Sequence, residues 1–273
     1  MNIAEALCIW GTPDSYERQE AMWLLEHILA TPALELKFKG TQQLTSEQQQ
    51  AYLNALERLK LGEPLAYIIG SQPFWTLDLD VTSDTLVPRP DTEIVIETVL
   101  DLPLPSNASI VDLGTGSGAI ALALASERST WQVLATDIYL PTLEVAQRNA
   151  KKHGLTTVSF LRSAWFADIP KQSFDLIVSN PPYIDALDRH MDKLKSEPKR
   201  ALVSPEQGLA DIQEIITKGI NWLNENGWMV LEHGYDQATA VQALLHAQGF
   251  ENVQTIQDYG KNDRVTLGQK IIA

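Results

Sequence analysis

Asn180-Pro181-Pro182-Tyr183 is the stretch whose residue types could do chemistry. It follows Phe174–Val178, a short, mostly apolar and β-branched run that reads as a buried strand. Ser179 and Asn180 favour turns, and the two prolines cannot donate to a sheet ladder, so the strand stops there. Each proline also pushes its predecessor toward extended backbone. Asn180 is therefore expected at the carboxyl end of a strand, where open α/β sheets keep their ligands. Its amide offers a carbonyl acceptor and an NH2 donor, but no acid or base near neutral pH. Asn180 Oδ1 and the Pro181 carbonyl could accept both hydrogens of a planar NH2 group, with Tyr183 stacked on that plane. Such a site suits an sp2 amine whose nitrogen is aimed at an electrophile. A Pro-Pro loop that merely turns the chain would use the same residues, so a partner motif is needed.

Val111-Asp-Leu-Gly-Thr-Gly-Ser-Gly-Ala-Ile120 supplies one: a strand, a glycine-rich turn and a helix start. Gly114, Gly116 and Gly118, with Thr115 and Ser117 between them, let the backbone turn tightly and approach a ligand. The dinucleotide fingerprint is not met, because Ala119 stands in its third glycine slot, and no Gly-Lys-Ser/Thr follows to make a phosphate loop. Asp112, just before the turn, would repel a pyrophosphate and welcome a cation. Nineteen residues after Gly118, Asp137 closes the next strand, where an acidic residue can bind ribose hydroxyls. A ribose, a positive group and no phosphate together describe S-adenosylmethionine. Ser163-Ala-Trp-Phe166 puts Trp165 and Phe166 at a third strand end, where they could stack on adenine or belong to the core.

The elements that must position these residues fall into two groups. Residues 1 to about 73 read as helical. Ser15 to Ala30 carries Ala21, Trp23, Leu24, Leu25, Ile28 and Leu29 on roughly one face, and Ser46 opens another helix that ends near Gly62. Phe74–Val81 and Thr85–Val87 alternate about Ser83-Asp84, which predicts a β-hairpin within residues 74–90 that joins the two parts. After a helix begun by Pro88–Thr92, strands are expected at 109–113, 132–136, 158–161, 174–179, 227–232, 252–257 and 264–267. Helices are expected at 119–126, 141–153, 209–224 and 236–248. This alternation over residues 91–273 is the signature of a parallel sheet with helices on both faces. Residues 185–207 lack clear periodicity, and loops of that length in a compact domain are often functional. His27 reads as a surface or packing residue, and His190 and His233 as loop and strand-end residues rather than bases.

Composition sets outer bounds. At 273 residues the chain has room for one large or two modest domains and needs no covalent staples. Its single cysteine, Cys8, excludes an internal disulfide and a thiolate metal cluster and fits a reducing compartment. There is no basic leader with an apolar core and no apolar run of transmembrane length, so a soluble cytoplasmic protein without a membrane partner is expected. The net charge is −14, and residues 1–80 carry 5 Lys/Arg against 11 Asp/Glu while the remainder carries 16 against 24. Both parts are acidic, which weighs against naked nucleic acid as the main partner. Arg189, Lys193, Lys195, Lys199 and Arg200 form a basic group that reads as a solvated loop face.

With Asp137 and Asn180-Pro-Pro-Tyr183, the glycine turn resembles the amino-methyltransferases of the class I S-adenosylmethionine-dependent fold. Gly62-Glu-Pro-Leu-Ala-Tyr-Ile-Ile-Gly70, Phe74-Trp75 and Thr85-Leu-Val-Pro-Arg-Pro-Asp-Thr-Glu93 extend the likeness, as do Glu197-Pro198, Gly208-Leu209, Leu231-Glu-His-Gly234 and Asp258-Tyr-Gly-Lys-Asn-Asp-Arg264. On these the chain resembles the HemK-type protein-(glutamine-N5) methyltransferases of peptide chain release factors. Ser117 stands where many of that family have Thr, and Ile138-Tyr-Leu-Pro141 is less typical of it. The resemblance implies a Rossmann-like seven-stranded methyltransferase domain over 91–273, preceded by a small helical substrate-recognition domain over 1–73. It also implies the glutamine of a Gly-Gly-Gln tripeptide in class I release factors as substrate, with Asn180, Pro181 and Tyr183 catalytic and no nucleic-acid substrate. The alternatives are a nucleobase amino-methyltransferase, since adenine N6 and guanine N2 are also planar amines, and a cofactor-binding protein without catalysis.

Overall fold

A computed structural model describes residues 1–271, apart from the side chains of His190, Asp192 and Lys193. The chain divides into two compact units, Met1–Gly70 and Ser71 onward.

The first unit is helical: α1 (Ile3–Leu7), α2 (Tyr16–Leu29), α3 (Ala33–Phe38), α4 (Ser46–Lys60) and α5 (Leu65–Ile69). Ser15 caps α2 by accepting from the Arg18 N–H, and Thr45 caps α4 in a reciprocal box with Gln48. The α4 cap thus falls one residue before Ser46. Leu24, Leu25, Tyr52, Leu56 and Ile3 are fully buried in one cluster, each such side chain worth about 1.5–3 kcal/mol. The Tyr52 hydroxyl satisfies itself inside that cluster by donating to the Ala6 carbonyl at 3.0 Å.

The second unit opens on a hairpin of β1 (Ser71–Phe74) and β2 (Leu77–Asp80), turned by Trp75 and Thr76. The alternation of 74–81 and 85–87 points to a later hairpin, and two distant carboxylates explain the difference. The Trp75 N–H donates to Glu93 Oε1 at 2.8 Å and the Val87 N–H to Glu197 Oε2 at 3.1 Å. Neither N–H is available to a sheet ladder there. Asn149 binds Asp80 through both ends of its amide, and Lys152 reaches Asp78 and Asp80, so the hairpin is fastened to the sheet unit.

After α6 (Glu93–Leu100) the chain alternates: β3 (Ser109–Leu113), α7 (Ala119–Glu127), β4 (Gln132–Asp137), α8 (Leu140–Lys152), β5 (Val158–Arg162) and β6 (Phe174–Ser179). Then follow α9 (Pro205–Gly208), α10 (Ala210–Gly219), β7 (Leu223–Glu232), α11 (Ala238–Ala247), β8 (Glu251–Gln257) and β9 (Asp263–Gln269). The sheet order is β5-β4-β3-β6-β7-β9-β8, parallel except for β9, which runs antiparallel to both its neighbours. The sheet is covered on both faces, which is why its strands are nearly continuous apolar runs. Ile110, Leu176 and Val230 join the cluster with α6 and α7, while Val111, Ile177 and Met229 join that with α10 and α11. Consecutive strand residues point to opposite faces, so one run feeds two cores. A helix continuing to residue 224 is not found. Leu223 is buried and already pairs with Phe174, and the register then shifts before Trp228 pairs with Leu176.

From β3 the chain winds outward through β4 to β5, then returns to place β6 on the other side of β3. That reversal opens a crevice beyond the carboxyl ends of β3 and β6. Among the described residues, no helix is long and apolar enough to cross a membrane.

Candidate active site

A cavity of about 280 Å³ occupies this crevice, near the lower end of the roughly 300–1,000 Å³ usual for small-molecule sites. Leu113 and Ser179 are paired across β3 and β6, so the glycine turn and Asn180 leave the sheet side by side. Gly114, Thr115, Gly116, Ser117, Asp137, Trp165, Asn180 and Pro182 all line the cavity.

The turn itself is tightly braced. Gly114 and Gly118 take φ of 72° and 89°, and a Cβ would meet the Trp165 ring at 3.3 Å in the first case and Leu122 at 2.9 Å in the second. The Thr115 N–H donates to the Thr136 carbonyl at 2.8 Å, and the Gly116 N–H to Asp137 Oδ2 at 3.2 Å. Asp137 Oδ1 accepts from the Tyr139 N–H at 3.0 Å. Burial raises the Asp137 carboxyl above its ordinary value, opposed by these two N–H groups and by the Arg200 charge. Asp137 thus faces the cavity as an acceptor held by the very loop it borders.

Asp112 does not line the cavity. It is buried behind the turn, where Oδ2 accepts from the Thr115 hydroxyl at 2.6 Å and the Ala121 N–H at 3.2 Å, while Oδ1 has no partner. Burial pushes this carboxyl up to about 7 against the help of those two donors, with the Asp137 charge adding to the rise. Its work is to splice the turn to the first turn of α7.

Four other residues expected at the site lie off the cavity wall. Phe166 is core, stacked on Trp222 with ring centroids 5.4 Å apart. Gly118 is the N-cap of α7. Pro181 is buried, and among the described residues no N–H is bonded to its carbonyl. The Tyr183 ring packs against the α10 and α11 core, its hydroxyl donates to Glu232 Oε1 at 3.3 Å and its carbonyl accepts from Gln237 at 3.0 Å. Tyr183 anchors the strand tip from behind, away from the cavity-lining position expected of a stacking ring.

Asn180 keeps one end free. Its NH2 donates to the Thr92 hydroxyl at 3.2 Å, and Oδ1 has no hydrogen-bond partner among the described residues. The remaining wall comes from the segment before α6 and from the long loop. Ile184 and Val203 form a bridge that closes residues 185–202 into a loop on its own base. Within it, Glu197 is buried and binds both the Val87 N–H and the Arg89 guanidinium. Arg200 lies over the Tyr139 ring at 4.3 Å and donates to the Asp84 carbonyl at 2.9 Å. Both arginines of the cavity wall are therefore engaged with other groups. A carboxylate, an aromatic wall, open backbone at the turn and no free guanidinium suit a nucleoside with a positive substituent better than a phosphate.

The comparisons agree with this geometry. Residues 89–261 match the family model described as the methyltransferase small domain, and residues 14–70 match the PrmC N-terminal domain. The release factor glutamine methyltransferase of Shewanella oneidensis is 45% identical over 83% of this chain and 80% of that protein. That of Salmonella typhimurium is 43% identical over 92% of each. The chain belongs to the release factor glutamine methyltransferase family. A crystal structure of a methyltransferase from Pyrococcus furiosus, 19% identical, matches with a TM-score of 0.57 over 84% of this chain and 100% of that one, a likeness of fold.

Three residues of this enzyme that build the site lie within the stretches that carry the family likeness, yet nothing local gives them their roles there. Thr92 holds Asn180, Glu197 ties the long loop to Arg89, and Glu232 receives Tyr183. Glu232 and Glu197 are each a carboxylate buried to 6% exposure or less, and Glu232 ends the apolar run Trp228–Leu231. A charge closing a doubly buried strand is the signal that could have found it. His233 is also buried: Nδ1 faces the Gly234 carbonyl at 2.8 Å and so carries the proton, leaving Nε2 to accept from the Thr266 hydroxyl at 2.7 Å. Burial lowers its pKa, so it stays neutral and takes no part in the cavity. The side chain of His190 lies outside the described residues.

Proposed function

We propose that this enzyme transfers a methyl group from S-adenosylmethionine to the side-chain amide nitrogen, N5, of the glutamine in the Gly-Gly-Gln tripeptide of class I peptide chain release factors. The observation that carries the reading is the side-by-side exit of Asn180 and the glycine turn into one cavity, in a chain 43–45% identical to release factor glutamine methyltransferases.

S-adenosylmethionine, when bound, supplies an activated sulfonium methyl. Asp137 would hold ribose hydroxyls, Trp165 would form the wall for adenine, and the backbone of Gly114–Gly116 would lie against the rest. The nitrogen of a glutamine amide is a poor nucleophile because its lone pair is delocalised. Asn180 Oδ1 and the Pro181 carbonyl, neither with a donor among the described residues, would accept its two hydrogens. They would fix its orientation and stabilise the positive charge that grows on it. No strong base is required of the protein, because the nitrogen's proton becomes acidic once it is alkylated. Tyr183 supports this site by holding the strand tip.

The acidic helical unit, matched by the PrmC N-terminal domain over 14–70, is assigned the recognition of the release factor, and the reaction is assigned to the cytoplasm, where translation takes place. Tritium transfer from labelled cofactor tests the substrate class with release factor, DNA and ribosomal RNA offered separately. Label in the release factor alone is expected; label in a nucleic acid alone would replace this reading with a nucleobase amino-methyltransferase.

A further inference from the structure

The segment before α6 is not placed by a sheet. Pro88 and Pro90 have no N–H to give, and the buried Val87 lies outside any strand. One side chain places the segment instead. Glu197 Oε2 accepts from the Val87 N–H at 3.1 Å, Glu197 Oε1 accepts from the Arg89 guanidinium, and Glu197 is buried. The Thr92 N–H in turn donates to the Arg89 carbonyl at 3.1 Å, and the Thr92 hydroxyl accepts from Asn180 Nδ2 at 3.2 Å. A short run of hydrogen bonds and chain therefore leads from the carboxylate to the amide.

Glu197 also belongs to the loop that begins just past Asn180. From Asn180 the chain runs to Ile184, whose N–H donates to the Leu202 carbonyl at 2.9 Å and whose carbonyl accepts from the Ser204 N–H at 3.0 Å. The Ala201 N–H bonds to the Pro198 carbonyl and the Val203 N–H to the Lys199 carbonyl, each at 2.9 Å, which leads back to Glu197. The contacts close a ring that runs from Asn180 through Ile184, Val203, Glu197, Arg89 and Thr92 to Asn180 again. Pro88 and Thr92 line the cavity from one arm of this ring, and Pro182 and Ala201 from the other. Arg200 adds a further tie between the arms at the Asp84 carbonyl, on the exposed side. Glu197 makes the buried tie.

We infer that Glu197 is a positioning residue for methyl transfer: its carboxylate seats the segment that ends in Thr92, and Thr92 holds the Asn180 amide with its oxygen left for the substrate amine. The inference rests on the methyltransferase reading and deepens it, because it gives the long loop a part in aligning the reacting nitrogen. An amide has one NH2 and one oxygen; with the NH2 engaged by Thr92, only the oxygen can accept the amine's hydrogen. Alignment is exacting, since a misplacement of about 1 Å caused far from the chemistry can cost about 10²-fold in rate. Glu197→Gln keeps an oxygen for one of the two donors and opposes an NH2 to the other. Glu197→Asp keeps the charge but is one methylene too short to meet both.

Single-turnover methylation of release factor by the full chain, with enzyme and cofactor saturating, tests this as a double-mutant cycle with Asn180→Ala. Glu197→Gln is expected to slow transfer by about 10–10²-fold, with cofactor affinity unchanged by calorimetry. Thr92→Val should lose a comparable factor, and Thr92→Ser, which keeps the hydroxyl, should restore most of it. Because both residues act through the Asn180 amide, neither Glu197→Gln nor Thr92→Val should slow the Asn180→Ala enzyme further. Losses that multiply in the Asn180→Ala background, or a Glu197→Gln enzyme as fast as the wild type, overturn the inference. Should Glu197→Gln fail to fold, Glu197→Asp decides in the same cycle: a loss that vanishes with Asn180→Ala supports the inference, and a loss that persists there, or no loss at all, overturns it. Failure of the functional reading is seen separately, in a wild type that transfers no methyl to release factor, and the inference then falls with it.

Discussion

Leu113 and Ser179 are cross-strand partners, and the Ser179 hydroxyl donates to the Leu113 carbonyl at 2.6 Å. This bond clamps the last paired residues of β3 and β6 at the point where the sheet changes winding direction. The next residue on each strand is Gly114 or Asn180. A slip of one residue would turn every side chain of β6 to the other face, so the pairing of two sheet cores fixes which residue meets the cavity. The chemistry of the site is thus set by register before any side chain of the site is chosen.

On the proposed mechanism, Asn180→Ala removes a side-chain acceptor for the substrate amine. Single-turnover rates should fall by about 10²–10³. Calorimetry should find cofactor affinity nearly unchanged, and an equally large loss of affinity would assign Asn180 a structural role.

Asp137 both faces the cavity and receives the N–H groups of Gly116 and Tyr139. Asp137→Ala should therefore weaken cofactor binding by about 1.5–3 kcal/mol, the worth of hydrogen bonds to a charged group. Titration calorimetry checks this, and substrate at saturating cofactor should still turn over.

Gly118→Ala combines a φ of 89° with a Cβ at 2.9 Å from Leu122. A loss of about 1–3 kcal/mol in urea unfolding is expected, since both backbone and packing must give. Wild-type stability in this variant would mean that the start of α7 relaxes freely.

The raised carboxyl of Asp112 makes a stability prediction with a definite sign. The folded state holds its proton up to about 7, whereas the unfolded chain releases it near 3.8, so this group's contribution is full below 3.8 and is lost as pH rises toward 7 and above. Asp112→Asn has no proton to lose. Its melting temperature should gain on that of the wild type as pH is raised through this window, and a constant gap would show that Asp112 ionises normally.

Residues 1–80 carry net charge −6. If they meet a basic face of the release factor, the affinity measured by fluorescence anisotropy should fall noticeably as salt is raised past 0.15 M, where screening acts over about 8 Å. Salt-insensitive binding would point to an apolar contact.

Much of this was legible from residues because the signals were local. The strands at 109–113 and 174–179 announce themselves as short apolar runs, and the glycines and prolines that end them mark where the backbone leaves the sheet. Asp137 follows from strand spacing alone. The errors arise where a partner far along the chain decides. Tyr183 faces Glu232, 49 residues away, and Phe166 lies on Trp222, so neither ring's side could be read from its neighbours. The hairpin moved because Glu93 and Glu197 take N–H groups that periodicity assigns to a ladder. Asp112 braces the turn, and nothing local says that a residue one position from the end of a central strand is sealed behind it.

Mass spectrometry of release-factor peptides after incubation with the enzyme and S-adenosylmethionine tests the central claim most directly. The expected result is a single added methyl on the amide nitrogen of the glutamine in Gly-Gly-Gln, absent with Asn180→Ala. An unmodified glutamine in a reaction where the same enzyme methylates DNA or ribosomal RNA would contradict it.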